Sequence, residues 1–287
     1  MLAVIANYYN PNNDQRRLKN YKLFLEKMNG LNLYTLELNQ DISINKNNNI
    51  SIKNNSIDCI WQQYRLINIL IEDLPQKYKS VAWIDCDIIF EDEKWFEKTE
   101  KSLEKYLFVQ PFDRAYFLNE ESKIIETRNS CGSLYCRTGF PFSKGTSWSG
   151  FAWAANLDFI RKWKIYDYWM WSSDLGLVIA LLGLFEDDFL KSLNNKMKQH
   201  YLKWAIPFNK EAKKSFGFVD AEIKHLWHGD AKKRSAKNRL KILKDFDPDN
   251  DIKINENKCF EWCSNNLKLH KNMTNVCLGR EYYGKLL

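Results

Sequence analysis

No stretch of the 287 residues runs to the roughly 18 consecutive apolar side chains that a membrane-crossing helix needs. No leader is expected either: Met1-Leu-Ala-Val-Ile-Ala6 passes straight into Asn7-Tyr-Tyr-Asn10, with neither a basic start nor an apolar stretch of useful length. Glycine (11) and proline (6) are scarce, and 45% apolar, 15% aromatic and 28% charged residues are too even a mixture for a tail or a fibre. Seven cysteines make an odd count, and Cys59 and Cys86 sit inside apolar runs, which suits reduced thiols better than a disulfide framework. A cytoplasmic protein is therefore expected, with one main domain able to bury a full core.

What is present is unevenly spread. The net charge is +7, but Lys191 to Lys244 alone holds 15 basic against 4 acidic residues, a local balance of +11 that leaves the rest of the chain acidic by 4. Such a block can face a nucleotide diphosphate or guide a polynucleotide. Equally, lysine and asparagine, the latter about a tenth of the chain, accumulate on solvated faces when a genome is AT-rich.

Hydrophobic periodicity places the elements. Leu2 to Asn7 reads as a buried strand; Leu18, Tyr21, Leu25 and Met28 carry a helical period that Asn29-Gly30 stops; Leu33 to Leu38 alternates like a strand. Asn39 to Ser56, rich in Asn, Lys, Ile and Ser, is expected to be a loop. Trp61 to Leu74 forms a second amphipathic helix before Pro75, and Ser80 to Ile84 is apolar throughout, as in the middle of a parallel sheet. Strands alternating with helices imply an α/β sheet, in which ligands sit beyond the carboxyl ends of the strands.

That position is occupied by Asp85-Cys-Asp87. Carboxylates on alternate residues of a strand project to one side and need a cation or a proton between them. Hard oxygens suit Mg²⁺ or Mn²⁺ that also holds substrate phosphates, whereas a pair of acids capping the next helix is the plain structural alternative. Further on, His225-Leu-Trp-His228-Gly229 spends two of only four histidines. His228 is the candidate third ligand, and His225 a structural neighbour. Lys232-Lys-Arg234 then opens a basic helix, and Lys232 is placed to meet a diphosphate. In the middle, Trp148 and Trp153 flank Gly150, offering flat faces to sugar rings or bases. Asp174 heads an apolar helix, either as a general base or as its cap in competition with Ser172 and Ser173.

Two weaker patterns remain. Cys259, Cys263, His270 and Cys277 are soft ligands with no recognised zinc spacing, so buried thiols in a small helical appendage are expected. Asp247, Asp249 and Asp251 lack the glycine and glutamate of a calcium loop and read as a turn at Pro248.

In order along the chain, the Asn10-Pro11 loop with Arg16, Arg17 and Asn20-Tyr21, the helix Trp61-Gln-Gln-Tyr-Arg-Leu-Ile-Asn68, Ala82-Trp-Ile-Asp-Cys-Asp87, Gly150-Phe-Ala-Trp-Ala154, His225-Leu-Trp-His-Gly229 and Phe246-Asp-Pro-Asp249 resemble glycosyltransferases of the GT-A fold, more narrowly a family from phages, giant viruses and bacteria. The resemblance implies a Rossmann-like mixed sheet flanked by helices over 1–252, with a nucleotide-binding half about 1–110, an acceptor half about 111–252 and an appendage over 253–287. It also implies a UDP-hexose or other nucleoside diphosphate sugar as donor, with Mn²⁺ or Mg²⁺ on Asp85, Asp87 and His228. Tyr8, Asn10 and Arg65 would border the nucleotide, and Asp174 would be the base. The acceptor would be a glycan or protein hydroxyl, or a hydroxylated base in DNA or RNA reached through 191–244; a sugar- or nucleotide-binding protein without turnover is the non-enzymatic alternative. Two departures are visible: Tyr64 stands where the family would have an acid, and Asn156 where it would have a basic residue.

Overall fold

A computed structural model describes residues 1–40, 43–53, 59–143, 145–169, 172–229 and 244–279, leaving aside the side chains of 276, 278 and 279. The elements begin with β1 (Leu2–Tyr9), α1 (Gln15–Lys27), β2 (Leu33–Leu38), β3 (Asn49–Ile52), α2 (Gln63–Asp73), β4 (Ser80–Ile84), β5 (Ile88–Phe90) and α3 (Trp95–Ser102). They continue with β6 (Phe108–Gln110), β7 (Arg114–Leu118), β8 (Ile124–Ser130), α4 (Cys131–Thr138), β9 (Ser147–Trp148), β10 (Ala152–Asn156), α5 (Leu157–Trp163) and α6 (Ser173–Leu182). The chain then forms α7 (Asp188–Ser192), α8 (Asn195–Ala212), β11 (Phe216–Phe218), β12 (Glu222–His225), β13 (Ile252–Ile254), β14 (Phe260–Trp262) and a last helix, Leu267–Gly279.

Seven strands form the central sheet in the order β11-β6-β10-β4-β1-β2-β3, mixed because β10 runs antiparallel to both β4 and β6. From β1 the chain builds outward through β2 and β3 on one side and then returns to β4 on the other. Strands reverse direction of growth between β1 and β4, and a crevice opens beyond their carboxyl ends. Both strands are buried on both faces, as their unbroken apolar sequences require. One core packs α2, α6 and α8 against the sheet; the other holds Tyr21 and Phe24 of α1 with Tyr8 and Ile84. This is the mixed α/β architecture flanked by helices that the resemblance implies.

A second sheet, β5-β12-β7-β8-β9, adjoins the first. Its pairing of β5 with β12 is antiparallel and sets His225 opposite Ile88.

The expected loop over Asn39 to Ser56 contains an edge strand, β3, parallel to β2. Its asparagines are structural: Asn49 accepts from the Thr35 hydroxyl at 2.8 Å, and the backbone N–H groups of Ile44 and Asn45 donate to buried Glu37 at 2.8 Å each. Polar side chains thus satisfy the backbone where apolar periodicity is weak. The C-terminal segment, expected to be helical, also carries the β13-β14 hairpin, and Cys259, Phe260, Leu269 and Met273 belong to the main core. No helix among the described residues is long and apolar enough to cross a membrane.

Gly132, in the first turn of α4, lies so close to β11 that an added Cβ would press on the Gly217 carbonyl oxygen. Gly132→Ala is expected to cost about 1–3 kcal/mol by overpacking, read as a lower urea midpoint at unchanged slope; a midpoint equal to that of the parent would show that α4 shifts freely on the sheet.

Candidate active site

The crevice at the ends of β1 and β4 is a cavity of about 200 Å³. Asn7, Tyr8 and Tyr9 border it from β1, Asp85, Cys86 and Asp87 from the segment after β4, Trp61, Gln63 and Tyr64 from the start of α2, and His225 and His228 from the end of β12. Trp148, Gly150, Phe151, Ser172 and Asp174 close the other side. Arg17, whose guanidinium donates to the Tyr9 carbonyl at 2.9 Å, is the one cation on the wall among the described residues.

Strand β4 ends at Ile84, and the Ile88 N–H returns to the Asp85 carbonyl at 3.1 Å, so Asp85 to Ile88 is a turn rather than more strand. The two carboxylates therefore part. Asp85 Oδ1 accepts from Gln63 Nε2 at 2.7 Å, while Asp87 turns to the histidines. The register of β5 on β12 brings this about, extended by the Leu226 N–H donating to the Asp87 carbonyl at 2.9 Å. Asp87 Oδ2 stands 3.2 Å from His228 Nε2 and 3.8 Å from His225 Nε2, and the two imidazole nitrogens are 3.2 Å apart.

These spacings can be tested against an ion. Ligands held about 2.1 Å from one cation lie about 3.0 Å apart at right angles and about 3.4 Å apart at tetrahedral angles. Two of the three edges, both 3.2 Å, fall in that range and the third, at 3.8 Å, is wider; in the tautomers that carry the proton on Nδ1 both Nε2 atoms would be available to a metal. The set fits one divalent ion, and it is the one converging group of His, Cys, Asp and Glu among the described residues. Neither Cys259, Cys263, His270 and Cys277 nor Asp247, Asp249 and Asp251 form another.

Backbone conformation supports the floor. Phe151 has φ of 86°, a left-handed value costly for a residue with a Cβ. Its carbonyl accepts from the Asp85 N–H at 2.8 Å, and its ring stacks on His225 at 4.6 Å between centroids. A residue with a strained backbone thus fixes the Asp85 turn through its carbonyl and one imidazole through its ring.

Asp174 lies across the cavity in the first turn of α6, whose N-cap is Ser172 and not Asp174. Its Oδ1 accepts from the Tyr64 hydroxyl. Burial pushes the carboxyl up to about 6, opposed by hydrogen bonds from Tyr64 and Trp153.

Of the other residues singled out in the sequence, Tyr8 lines the cavity with one face stacked on Tyr21 at 4.2 Å. Asn10, Arg65 and Trp153 do not line it. Asn10 ties the loop after β1, donating to the Tyr8 hydroxyl at 2.7 Å and accepting from the Asp14 N–H at 3.0 Å. Arg65 is engaged by Asp167 at 3.2 Å and by the Lys258 carbonyl at 2.6 Å. Trp153 is fully buried between Trp83 and Phe216, at 6.3 and 5.2 Å. Lys232 and the basic helix expected after it fall outside the described residues, and no lysine of 191–229 reaches the cavity wall. Sequence reasoning took His225 as a structural neighbour, where the structure gathers it with Asp87 and His228, and passed over Gln63, Tyr64, Trp61 and Arg17 as wall residues; the signal for the clustering of His225 was present in the His-x-x-His spacing.

No family model and no curated protein matches the chain. Among solved structures it is similar to a mutant of Drosophila β-1,4-galactosyltransferase 7 in complex with manganese, UDP-Gal and xylobiose, at 9% identity over 96% of this chain and 98% of that one, TM-score 0.42. It is similar also to Mycobacterium tuberculosis glucosyl-3-phosphoglycerate synthase in complex with Mn²⁺, UDP-Glc and phosphoglyceric acid, at 8% identity over 92% and 86%, TM-score 0.44. A third likeness is to 4-diphosphocytidyl-2C-methyl-D-erythritol synthase of Anaerococcus prevotii, at 10% identity over 77% and 89%, TM-score 0.37.

Because folded Asp174 holds its proton up to about pH 6 and the unfolded chain releases it near the model-compound value of 3.8, its ionisation removes stability as pH rises between those values. Asp174→Asn abolishes that loss. The variant is expected to melt at or above the parent's temperature at pH 8, with the advantage gone at pH 4; a variant less stable at pH 8 than at pH 4, relative to the parent, would contradict it.

Proposed function

We propose that this chain is a metal-dependent glycosyltransferase of the GT-A type, moving a hexose from a nucleoside diphosphate sugar, UDP-hexose foremost, to an acceptor hydroxyl. The observation that carries the reading is the pair of groups facing one cavity at the sheet's switch point: the Asp87, His225 and His228 cluster on one side and buried Asp174 on the other. Asp87, His225 and His228 would hold the ion, and two imidazoles in the set favour Mn²⁺ over Mg²⁺. A bound divalent ion would offset charge on the diphosphate leaving group.

The chain's own residues supply the rest. Tyr8, Tyr9 and Trp61 present aromatic edges and faces where a base and ribose would lie, and Arg17 is placed to meet a phosphate. Asp174, ionised above about pH 6, takes the proton of the acceptor hydroxyl. The acceptor oxygen then bonds to the anomeric carbon as the bond from that carbon to the phosphate oxygen breaks, and the nucleoside diphosphate leaves with the electron pair. A buried carboxylate with a raised pKa facing a cavity favours turnover over simple sugar binding.

A thermal-shift series with UDP-, GDP- and TDP-hexoses, each with and without Mn²⁺, tests the reading. A matching nucleotide at about 100 times its Kd should add about 2.7 kcal/mol of stability, several degrees in melting temperature, and only with metal present. Asp87→Ala or His228→Ala should remove the metal-dependent shift and lower donor hydrolysis by about two orders of magnitude or more, with the fold intact. Full activity in EDTA would reject the metal site, and release of UMP and hexose 1-phosphate in place of UDP would place cleavage at the diphosphate bond and reject sugar transfer.

A further inference from the structure

The first turn of α2 reaches the two carboxylates of the cavity that stand outside the Asp87 cluster. Gln63 donates to Asp85 Oδ1 at 2.7 Å, and the next residue, Tyr64, donates its hydroxyl to Asp174 Oδ1. Tyr64 is 7% exposed and stands where the family resemblance implies an acid. An acid there would set one carboxylate against another. The phenol instead keeps its proton: burial, then Asp174 and Asp85, hold it well above its ordinary range, so toward Asp174 it acts only as a donor. With Oδ1 engaged, Asp174 Oδ2 turns toward Gly150, where a Cβ would meet it at 3.2 Å. The missing side chain at Gly150 keeps that oxygen open to the cavity.

We propose that Tyr64 is the positioning residue for the proton-accepting carboxylate: its hydroxyl pins Asp174 Oδ1, aims Oδ2 at the acceptor and stabilises the ionised form. The proposal rests on the reading of Asp174 as the base. The other groups that face Asp174 are the Cys131 thiol at the start of α4, pushed up to about 12 by burial and by Asp174 itself, and the Trp153 indole of β10. Trp148, whose buried indole N–H has no hydrogen-bond partner, comes to the same Cβ position of Gly150 as Asp174 Oδ2, at 3.2 Å. The thiol stays neutral at working pH, and the indoles carry no charge. Tyr64 is therefore the group whose removal most changes the carboxylate.

Tyr64→Phe removes one oxygen and leaves the ring to fill its place. Losing a donor to the ionised form should raise the Asp174 midpoint by about one unit, which lowers the ionised fraction about fivefold at pH 6 and hardly at all at pH 9. Two measurements on the full chain read this. In Mn²⁺-dependent hydrolysis of UDP-hexose, Tyr64→Phe should shift the pH–rate profile upward by about one unit and lower kcat at every pH, most at pH 6, with KM changed far less than kcat. In pH-dependent melting, the difference between Tyr64→Phe and Tyr64→Phe/Asp174→Asn should extend to higher pH than the difference between the parent and Asp174→Asn. A melting window that does not move overturns the proposal whether or not the chain hydrolyses the donor. Absence of hydrolysis with a moved window overturns the transferase reading and leaves the Tyr64 link standing as a structural fact.

Discussion

The antiparallel pairing of β5 with β12 is the constraint on which the site depends. It sets His225 opposite Ile88, and the hydrogen bond from Leu226 to the Asp87 carbonyl carries the pairing one residue further. A slip of one residue would turn His225 to the opposite face of the small sheet, away from Asp87. The carboxylate and the two imidazoles come from segments far apart in sequence, and only this register brings their donor atoms within 3.8 Å of one another. Strain at Phe151 is tolerated for the same reason: its ring backs His225 and its carbonyl holds the Asp85 turn, so packing on both sides fixes the conformation.

Much of the fold was legible in the chain because its signals are local. The apolar runs Leu2 to Asn7 and Ser80 to Ile84, the helical period of α1 and the Asp-x-Asp segment after a buried strand all reflect periodicity or position. What was not legible depended on tertiary geometry. Alternation predicted that Asp85 and Asp87 share a side, but the strand ends at Ile84 and a turn separates them. His225 read as a structural neighbour because its partner, the turn before β5, is set by a sheet the sequence does not announce. Arg65 and Trp153 carry residue types suited to ligands, yet both are taken up in packing and ion pairing. The strand β3 was hidden in an asparagine-rich stretch whose side chains, rather than apolar alternation, complete its hydrogen bonds.

Electrostatics in the cavity follow a division of labour. Asp87 meets imidazoles, Asp85 meets a neutral amide, and Asp174 meets a phenol in a buried setting. Three acids in one crevice thereby occupy three environments, and burial holds Asp174 protonated into the mildly acidic range. Among the described residues, the lysines of 191–229 stay off the wall.

The Asp87 cluster also ties together elements that would otherwise close late. Asp87 follows a strand of the large sheet, while His225 ends and His228 follows a strand of the small one, so an ion shared among them would act as a rivet between two sheets joined by long-range pairings. Such pairings form slowly, because their loops must close before any contact rewards closure. A divalent ion would then act on the lifetime of the native state as well as on turnover, slowing the step in which the small sheet peels from the large one.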